Sequence, residues 1–277
     1  MNTPEMRTPR LPIHRSLTLL YVGSFLIAVL TVAASVAGLV YRSAVYPTED
    51  LLGASLANDI LNLALGVPML LGSILLAWRG KLVGLLFWPG ALLYILYNEV
   101  AYVFSLPLNG VFPLHLAMVT LSVYTVIGLV AAIDGKAVQQ RLAGAVPERV
   151  AGGILAGLGL LFLGMVIINQ LIALLGQAPP AETVLATQVA DTVIVSSWII
   201  GGILLWRRTE LGYVAGLGLL FQGSMMFIAV IALVLIRPLL STVPFDPADV
   251  VVLAVMALVC FVPFGLFLRG VVRSGRW

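Results

Sequence analysis

Residues 82–106 read LVGLLFWPGALLYILYNEVAYVFSL, an apolar run with a single charged residue, Glu99. A helix needs about 20 residues to cross the hydrocarbon layer of a bilayer, and this run is long enough. A polar patch from Tyr94 to Tyr102 lies inside it. Polar groups are costly within a membrane, so the stretch predicts a transmembrane helix and also the place where function is to be sought.

Composition extends this interpretation to the whole chain. Of the 277 residues, 61% are hydrophobic and 10% are charged, and the mean hydropathy is +1.11. One soluble core of this length cannot bury so much apolar surface. The formal net charge is only +3, and the basic residues lie at the ends of apolar runs rather than in one patch. The expected partner is therefore the lipid bilayer, and no nucleic-acid binding is predicted.

Seven further apolar runs predict seven further transmembrane helices. They lie at approximately residues 17–40, 57–78, 111–133, 150–175, 184–206, 211–236 and 248–268. None shows the alternation of a barrel strand, so the predicted fold is an all-α membrane protein with eight transmembrane helices. The first run is longer than the roughly 7 to 15 apolar residues of a cleaved signal peptide, which favours an uncleaved first span.

The distribution of basic residues predicts the orientation. With eight spans both termini lie on one side, and Lys and Arg collect on the cytoplasmic side of membrane proteins. Of the 15 basic residues, only Arg42 and Arg237 fall on the other side. We therefore predict a multi-pass protein of the cell (plasma) membrane with both termini cytoplasmic. The cytoplasmic set is Arg7, Arg10, Arg15, Arg79, Lys81, Lys136, Arg141, Arg149, Arg207, Arg208, Arg269, Arg273 and Arg276.

An internal repeat is predicted from four residues that recur without a gap. Trp78, Arg79, Gly84 and Gly90 return 128 positions later as Trp206, Arg207, Gly212 and Gly218. The pattern predicts two parallel four-helix repeats, residues 1–133 and 150–277, joined by a cytoplasmic linker, residues 134–149. Glycines at 153 and 157, and at 212 and 216, have a spacing that lets helices approach closely.

Polar residues inside the predicted spans are the candidate site. In the second helix, Asp59, Asn62 and Gly66 share one face. In the third helix Tyr94, Asn98 and Tyr102 share a face, with Tyr97 and Glu99 at its borders. At about 1.5 Å of rise per residue these groups fall in the outer half of the membrane. The predicted substrate- or ion-binding residues are Asp59, Asn62, Tyr94, Tyr97, Asn98, Glu99, Tyr102, His115 and Asp191.

Each ionisable candidate also has a structural alternative. Asp59 would be an exposed charge at a helix start in the headgroup region. Glu99 would be a buried structural carboxyl that is protonated or bound to a tyrosine. His115 would be a packed or interfacial histidine. The counterparts of Tyr94, Asn98 and Glu99 in the second repeat are Gln222, Met226 and Phe227, and this asymmetry favours a dedicated site in the first half.

Several chemistries have no support in the sequence. The motifs G-x-x-x-x-G-K-[ST], H-E-x-x-H, G-x-S-x-G and C-x-x-C are absent. One intramembrane histidine does not provide a bis-histidine haem site, and the only cysteine is Cys260. A divalent metal on Asp59, Glu99 and His115 lacks a recognisable ligand spacing. We therefore predict neither a catalytic centre nor a metal or cofactor.

The leading function from the sequence is a small-solute or ion transporter that uses intramembrane carboxylates. One alternative is a membrane-embedded enzyme or lipid-binding protein with an outward-facing pocket around Tyr97, Asn98, Glu99 and His115. Another is a subunit of a membrane complex. Neither a protein partner nor an oligomeric state is indicated by any sequence pattern.

The segment from Leu86 to about Val130 resembles an uncharacterised group of prokaryotic polytopic membrane proteins. The resemblance rests on Leu92-Leu93-Tyr94 and Leu96-Tyr97-Asn98, within a motif of LLYxLYN type, on Tyr102-Val103-Phe104, and on the later Leu108-Asn109 and Leu121-Ser122. It implies a multi-helix membrane fold and no assigned activity. Members of this group often have an aromatic residue where this chain has Glu99, which implies more weight for Asn98 and its tyrosines.

Overall fold

A computed structural model of the chain describes residues 11–175, 182–240, 245 and 247–274, without the side chains of residues 182, 237 and 240. Arg7, Arg10 and Arg276 lie outside the described residues, as does the side chain of Arg237. The described part is helical. In chain order the helices are α1 (Thr18–Val40), α2 (Arg42–Val45), α3 (Glu49–Leu61), a π turn (Asn62–Gly66), α4 (Val67–Trp78), α5 (Leu82–Ser105), α6 (Phe112–Ala132), α7 (Gly135–Leu142), α8 (Glu148–Leu174), α9 (Glu182–Trp206), α10 (Glu210–Leu240) and α11 (Pro247–Ser274).

Eight helices in this described part are long and apolar enough to cross a membrane, counting α3, the π turn and α4 as one. This confirms the predicted number of spans. Large apolar side chains remain exposed along their outer faces, for example Leu19 at 84% and Phe25 at 62% on α1. A bilayer would cover such side chains, so the chain is an integral membrane protein.

The second span begins earlier than the sequence predicted. It starts at Glu49 rather than near residue 57, and the Thr48 side chain caps it by accepting a hydrogen bond from the Leu51 N–H at 3.3 Å. Glu49 and Asp50 occupy the first turn, where acidic side chains interact favourably with the positive end of the helix dipole. A hydropathy criterion omits this polar turn. Asp59 therefore lies about 15 Å along the helix instead of at its start.

The predicted linker, residues 134–149, contains a helix. Asp134 caps α7 by accepting from the Ala137 N–H at 3.0 Å, and α7 buries Val138 and Leu142. The linker also lies beside residues 12 and 13, because the Asp134 N–H donates to the Pro12 carbonyl at 2.8 Å and Ile13 pairs with the preceding Ile133. Leu17 and Val271 line one groove, so both described ends of the chain share one end of the bundle. We call this the terminal end and the opposite one the far end.

Helix α5 is the centre of the bundle. It is the most buried of the eight spans and packs against α4, α6, α9 and α10. Its closest backbone approach to α10 is made by glycines, since a Cβ atom on Gly90 would overlap the backbone of Gly218. Helices α8 and α9 also approach closely, but at Gly152 and Gly202. The predicted close-packing role of Gly157 is wrong, because nothing lies within 4 Å of its Cβ position.

Two helical hairpins at the terminal end have the same backbone geometry. After Trp78 the Lys81 N–H donates to the Leu76 carbonyl at 2.9 Å, and after Trp206 the Thr209 N–H donates to the Leu204 carbonyl at 3.0 Å. Positive φ angles occur within these turns, 73° at Gly80 and 57° at Arg208. Each of these residues in the first hairpin has its counterpart 128 positions later in the sequence.

Gly90→Ala is expected to destabilise the bundle, because its methyl group would push against backbone that has no flexible side chain to yield. Overpacking of this kind typically costs about 1 to 3 kcal/mol. The matched control is Gly157→Ala, which has open space and a gain in helix propensity. Chemical unfolding in mixed micelles measures both free energies. Equal stabilities of the two variants would contradict the tight α5–α10 crossing.

Candidate functional site

Polar side chains on α5 face polar groups of the second span in matching order. The Tyr102 hydroxyl donates to Asp59 Oδ1 at 2.9 Å, and Asn98 Nδ2 donates to Asn62 Oδ1 at 3.0 Å. One turn further towards the terminal end, a Cβ on Gly66 would lie 3.2 Å from the ring of Tyr94. The two faces predicted from residue spacing are therefore packed against each other.

A π turn occupies the middle of this contact. The Val67 N–H donates to the Asn62 carbonyl, five residues earlier, so the helix widens by one residue. Pro68 follows directly, and proline can neither donate to the carbonyl of Ala64 nor fit beside it in a regular helix. The wider turn accommodates the proline while Asn62 stays in contact with Asn98.

Asp59 is the centre of a closed cluster. Its Oδ2 accepts from the Tyr46 hydroxyl at 2.6 Å and its Oδ1 from Tyr102. Burial and the adjacent Asp59 raise the pKa of Tyr46 well above its ordinary value, so this phenol remains a donor. Asp59 has 0% exposure, so its alternative as a headgroup-exposed charge is wrong. Gly38 makes room for the cluster, since a Cβ there would overlap both Asp59 and Tyr46.

Glu99 forms a second buried pair with His115 of α6. Glu99 Oε2 and His115 Nδ1 are 2.6 Å apart, and the side chains are 1% and 2% exposed. The imidazole stacks on the Tyr102 ring at a centroid distance of 4.6 Å, which joins the pair to the Asp59 cluster. His115 Nε2 is buried without a hydrogen-bond partner among the described residues. The carboxyl and imidazole form a site that can hold one proton between them.

A cavity of about 470 Å³ opens beside these clusters, between α3, α5, α9 and α10. Buried Tyr94 and Asn98 lie at its inner part, and exposed Asp50 and Thr187 lie at its rim towards the far end. The volume lies within the range of about 300 to 1,000 Å³ that is typical of small-molecule pockets. The cavity also has a mixed lining of amides, hydroxyls, tyrosines and apolar side chains.

Two carboxylates line this cavity. Asp191 Oδ1 accepts from the Tyr97 hydroxyl at 3.0 Å, which connects α9 to α5. At the rim, the Thr183 hydroxyl donates to Asp50 Oδ2 at 2.6 Å, which connects α9 to α3. Both contacts cross between the two predicted halves. The cavity therefore lies at the boundary between them.

Aromatic rings fill the bundle between the cavity and the terminal end. Phe87 and Phe221 stack at 4.2 Å, and Phe264 lies about equally far from both, at 5.9 and 6.0 Å. The Gly90–Gly218 contact lies at a similar level on α5 and α10. This packing separates the cavity from the terminal end.

The second half has different chemistry at the equivalent positions. Gln222 accepts a hydrogen bond from the Trp198 indole N–H at 2.6 Å, and its amide N–H lies 2.6 Å from the Met226 sulfur. Met226 lines the cavity, whereas Phe227 is packed in the core. Gln222 therefore serves helix packing, and the carboxylate–imidazole pair belongs to the first half.

The structure divides the nine predicted site residues into two groups. Those that line the cavity are Tyr94, Tyr97, Asn98, Tyr102 and Asp191. Those behind it are Asp59, Glu99 and His115 in the closed clusters, with Asn62 held against Asn98. Sequence reasoning missed Tyr46, because it lies in a short polar segment between spans. Among the described residues no group of three His, Cys, Asp or Glu side chains is placed to hold a metal ion.

No family model, curated protein or solved structure matches the chain. The resemblance around Leu86 to Val130 stays a prediction, as does the role of each site residue.

Tyr46→Phe is expected to lower the free energy of unfolding by about 1 to 3 kcal/mol, because it removes a donor from the buried carboxylate of Asp59. Tyr124→Phe is the matched control, since Tyr124 is 72% exposed. Thermal or chemical unfolding in micelles measures the difference. If the two variants are equally stable, the Tyr46–Asp59 hydrogen bond contributes nothing.

Glu99→Leu and His115→Leu are expected to be strongly non-additive. Each single change leaves one buried polar group without its partner, whereas the double change removes both. A double-mutant cycle should give a coupling energy of about 1 to 3 kcal/mol. If the two single changes in free energy of unfolding add up to that of the double variant within roughly 0.5 kcal/mol, Glu99 and His115 do not stabilise each other.

Proposed function

We propose that this membrane protein is a transporter of a small solute or ion, and that the cavity between α3, α5, α9 and α10 is its binding site. The observation that carries the proposal is the form of this cavity. It lies at the boundary of two groups of helices, has a polar rim at the far end, and is separated from the terminal end by aromatic rings. Transport by alternating access requires a site that opens to one side at a time.

The predicted two-fold repeat of residues 1–133 and 150–277 fits this proposal. Gly90 and Gly218, which would be equivalent in that repeat, touch each other, as residues beside a two-fold axis would. The hairpins after Trp78 and Trp206 share their hydrogen bonds and their positive φ angles. Many transporters consist of two such repeats with the substrate between them.

Charge distribution supports a cytoplasmic terminal end. Every described Lys and Arg side chain lies at the terminal end except Arg42, which follows α1 at the far end. Trp78 and Trp206 are exposed at the terminal ends of their spans, as interfacial tryptophans are. On this orientation, in the cell membrane, the cavity faces the exterior.

Tyr102 would couple cavity occupancy to the buried carboxylates. Its side chain lines the cavity, its hydroxyl binds Asp59, and its ring stacks on His115. A solute that displaces Tyr102 would change the hydrogen bonding of Asp59 and the environment of the Glu99–His115 pair. These carboxylates would thereby bind or release the coupling proton.

A membrane enzyme or a lipid-binding protein is the second candidate. Of these two, the geometry favours the lipid-binding protein. Glu99 and His115 resemble an oriented acid–base pair, yet neither lines the cavity. A pocket that binds a lipid headgroup would keep access from one side only. Sidedness of access therefore separates transport from binding.

Asn98→Cys is expected to react with a membrane-impermeant maleimide from both faces of the membrane, because alternating access exposes the inner cavity to each side in turn. The background is Cys260→Ala, which removes the only cysteine, a buried one. Ala101→Cys also lines the cavity and provides a second reporter if Asn98→Cys fails to fold. Labelling is compared in right-side-out and inside-out vesicles.

Thr187→Cys at the rim is the control, and it is expected to react from the exterior alone. Labelling of the inner positions from only one face would refute alternating access and leave a binding protein. Reaction of Thr187→Cys from the cytoplasmic face alone would show that the proposed orientation is reversed.

A further inference from the structure

The charged side chains among the described residues that line the cavity are acidic. Asp50 and Asp191 line it, together with three tyrosines, and no Lys, Arg or His is found among its described lining. A cavity with acidic groups and low-dielectric walls concentrates positive ligands and repels anions. The charge of the lining therefore selects against carboxylate and phosphate solutes.

Asp191 offers a free oxygen to a ligand. Its Oδ1 accepts from Tyr97, while Oδ2 has no hydrogen-bond partner among the described residues. The side chain is partly exposed, and its open surface is the cavity. A carboxylate removed from water is strongly stabilised by a cation placed beside it. Asp50 differs, because Thr183 already binds it at the rim.

The tyrosines supply a second type of contact. Tyr94, Tyr97 and Tyr102 all belong to α5, and all three line the cavity. The Tyr94 side chain is 1% exposed, and its hydroxyl has no hydrogen-bond partner among the described residues. An electron-rich ring attracts an ammonium group.

The size of the cavity excludes a bare inorganic ion as the natural fit. Hard metal cations require several oxygen ligands at about 2.0 to 2.6 Å. A space of about 470 Å³ with apolar side chains such as Leu61, Met226 and Val230 does not provide such a shell. It suits a molecule that combines a charged group with apolar groups.

We infer that the cavity binds a small organic monocation, an amine or quaternary ammonium compound with apolar groups, through Asp191 and the tyrosines of α5. The inference rests on the proposed role of the cavity as a binding site. Asp191 has no ion-pair partner among the described residues, and its one negative charge matches a solute with one positive charge.

Equilibrium binding to the purified full-length protein tests this. The probes are choline, tetraethylammonium and benzyltrimethylammonium, with neutral 3,3-dimethyl-1-butanol, which has the shape of choline without its charge. Saturable binding of at least one cation is expected, with choline at least about ten-fold tighter than its neutral counterpart if choline binds. No saturable binding by any cation, or equal binding of choline and the neutral analogue, would overturn the inference.

Asp191→Asn is expected to weaken cation binding by about ten-fold or more and to leave the weak binding of the neutral analogue unchanged. Asp249→Asn is the matched control, since Asp249 is exposed at the start of α11 and does not line the cavity. An unchanged cation affinity in Asp191→Asn would overturn the role of Asp191. The wild-type comparison of choline with its analogue stands even if Asp191→Asn does not fold.

The inference about cation binding and the proposal of transport can be refuted independently of each other. Cation binding with one-sided labelling of Asn98→Cys would retain this inference and refute the transporter. Two-sided labelling without cation binding would retain the transporter and refute the inference about the cation.

Discussion

The bundle depends on one constraint: a bilayer offers no water to the polar groups of α5, so its neighbours must satisfy them. Asn98 is bound by the second span, Tyr97 by α9 and Glu99 by α6. These contacts point in three directions around one helix. The most polar span is consequently also the most buried, and the other helices are arranged about it.

The same constraint separates two kinds of polar chemistry that lie next to each other. Asp59, Glu99 and His115 are closed off, and short hydrogen bonds hold them. Asp191 has one oxygen without a hydrogen-bond partner in the part of the chain that the structure describes, and it lines the cavity. Tyr102 belongs to both regions. An open polar cavity and closed hydrogen-bonded clusters are thus neighbours, and the buried carboxylates are kept from water.

The length and hydropathy of the apolar runs were sufficient to predict the eight spans, and helical periodicity predicted the faces of Asp59–Asn62–Gly66 and of Tyr94–Asn98–Tyr102. Partners that depend on the rotation of separate helices were not predictable. Glu99 and His115 are on different spans, and no local signal sets their register. The start of α3 was misplaced because a capped, acidic first turn is polar. Tyr46 was missed because it lies outside every apolar run.

The crossing of α5 and α10 has a mechanical consequence. At Gly90 and Gly218 the backbones of the two helices touch, and one turn away the Phe87 and Phe221 rings of the same two helices stack on each other. Packed side chains resist a change of crossing angle, because ridges must leave their grooves. The glycine contact thus sets the separation of the two axes, and any rocking of α5 against α10 would have to separate the stacked rings beside it.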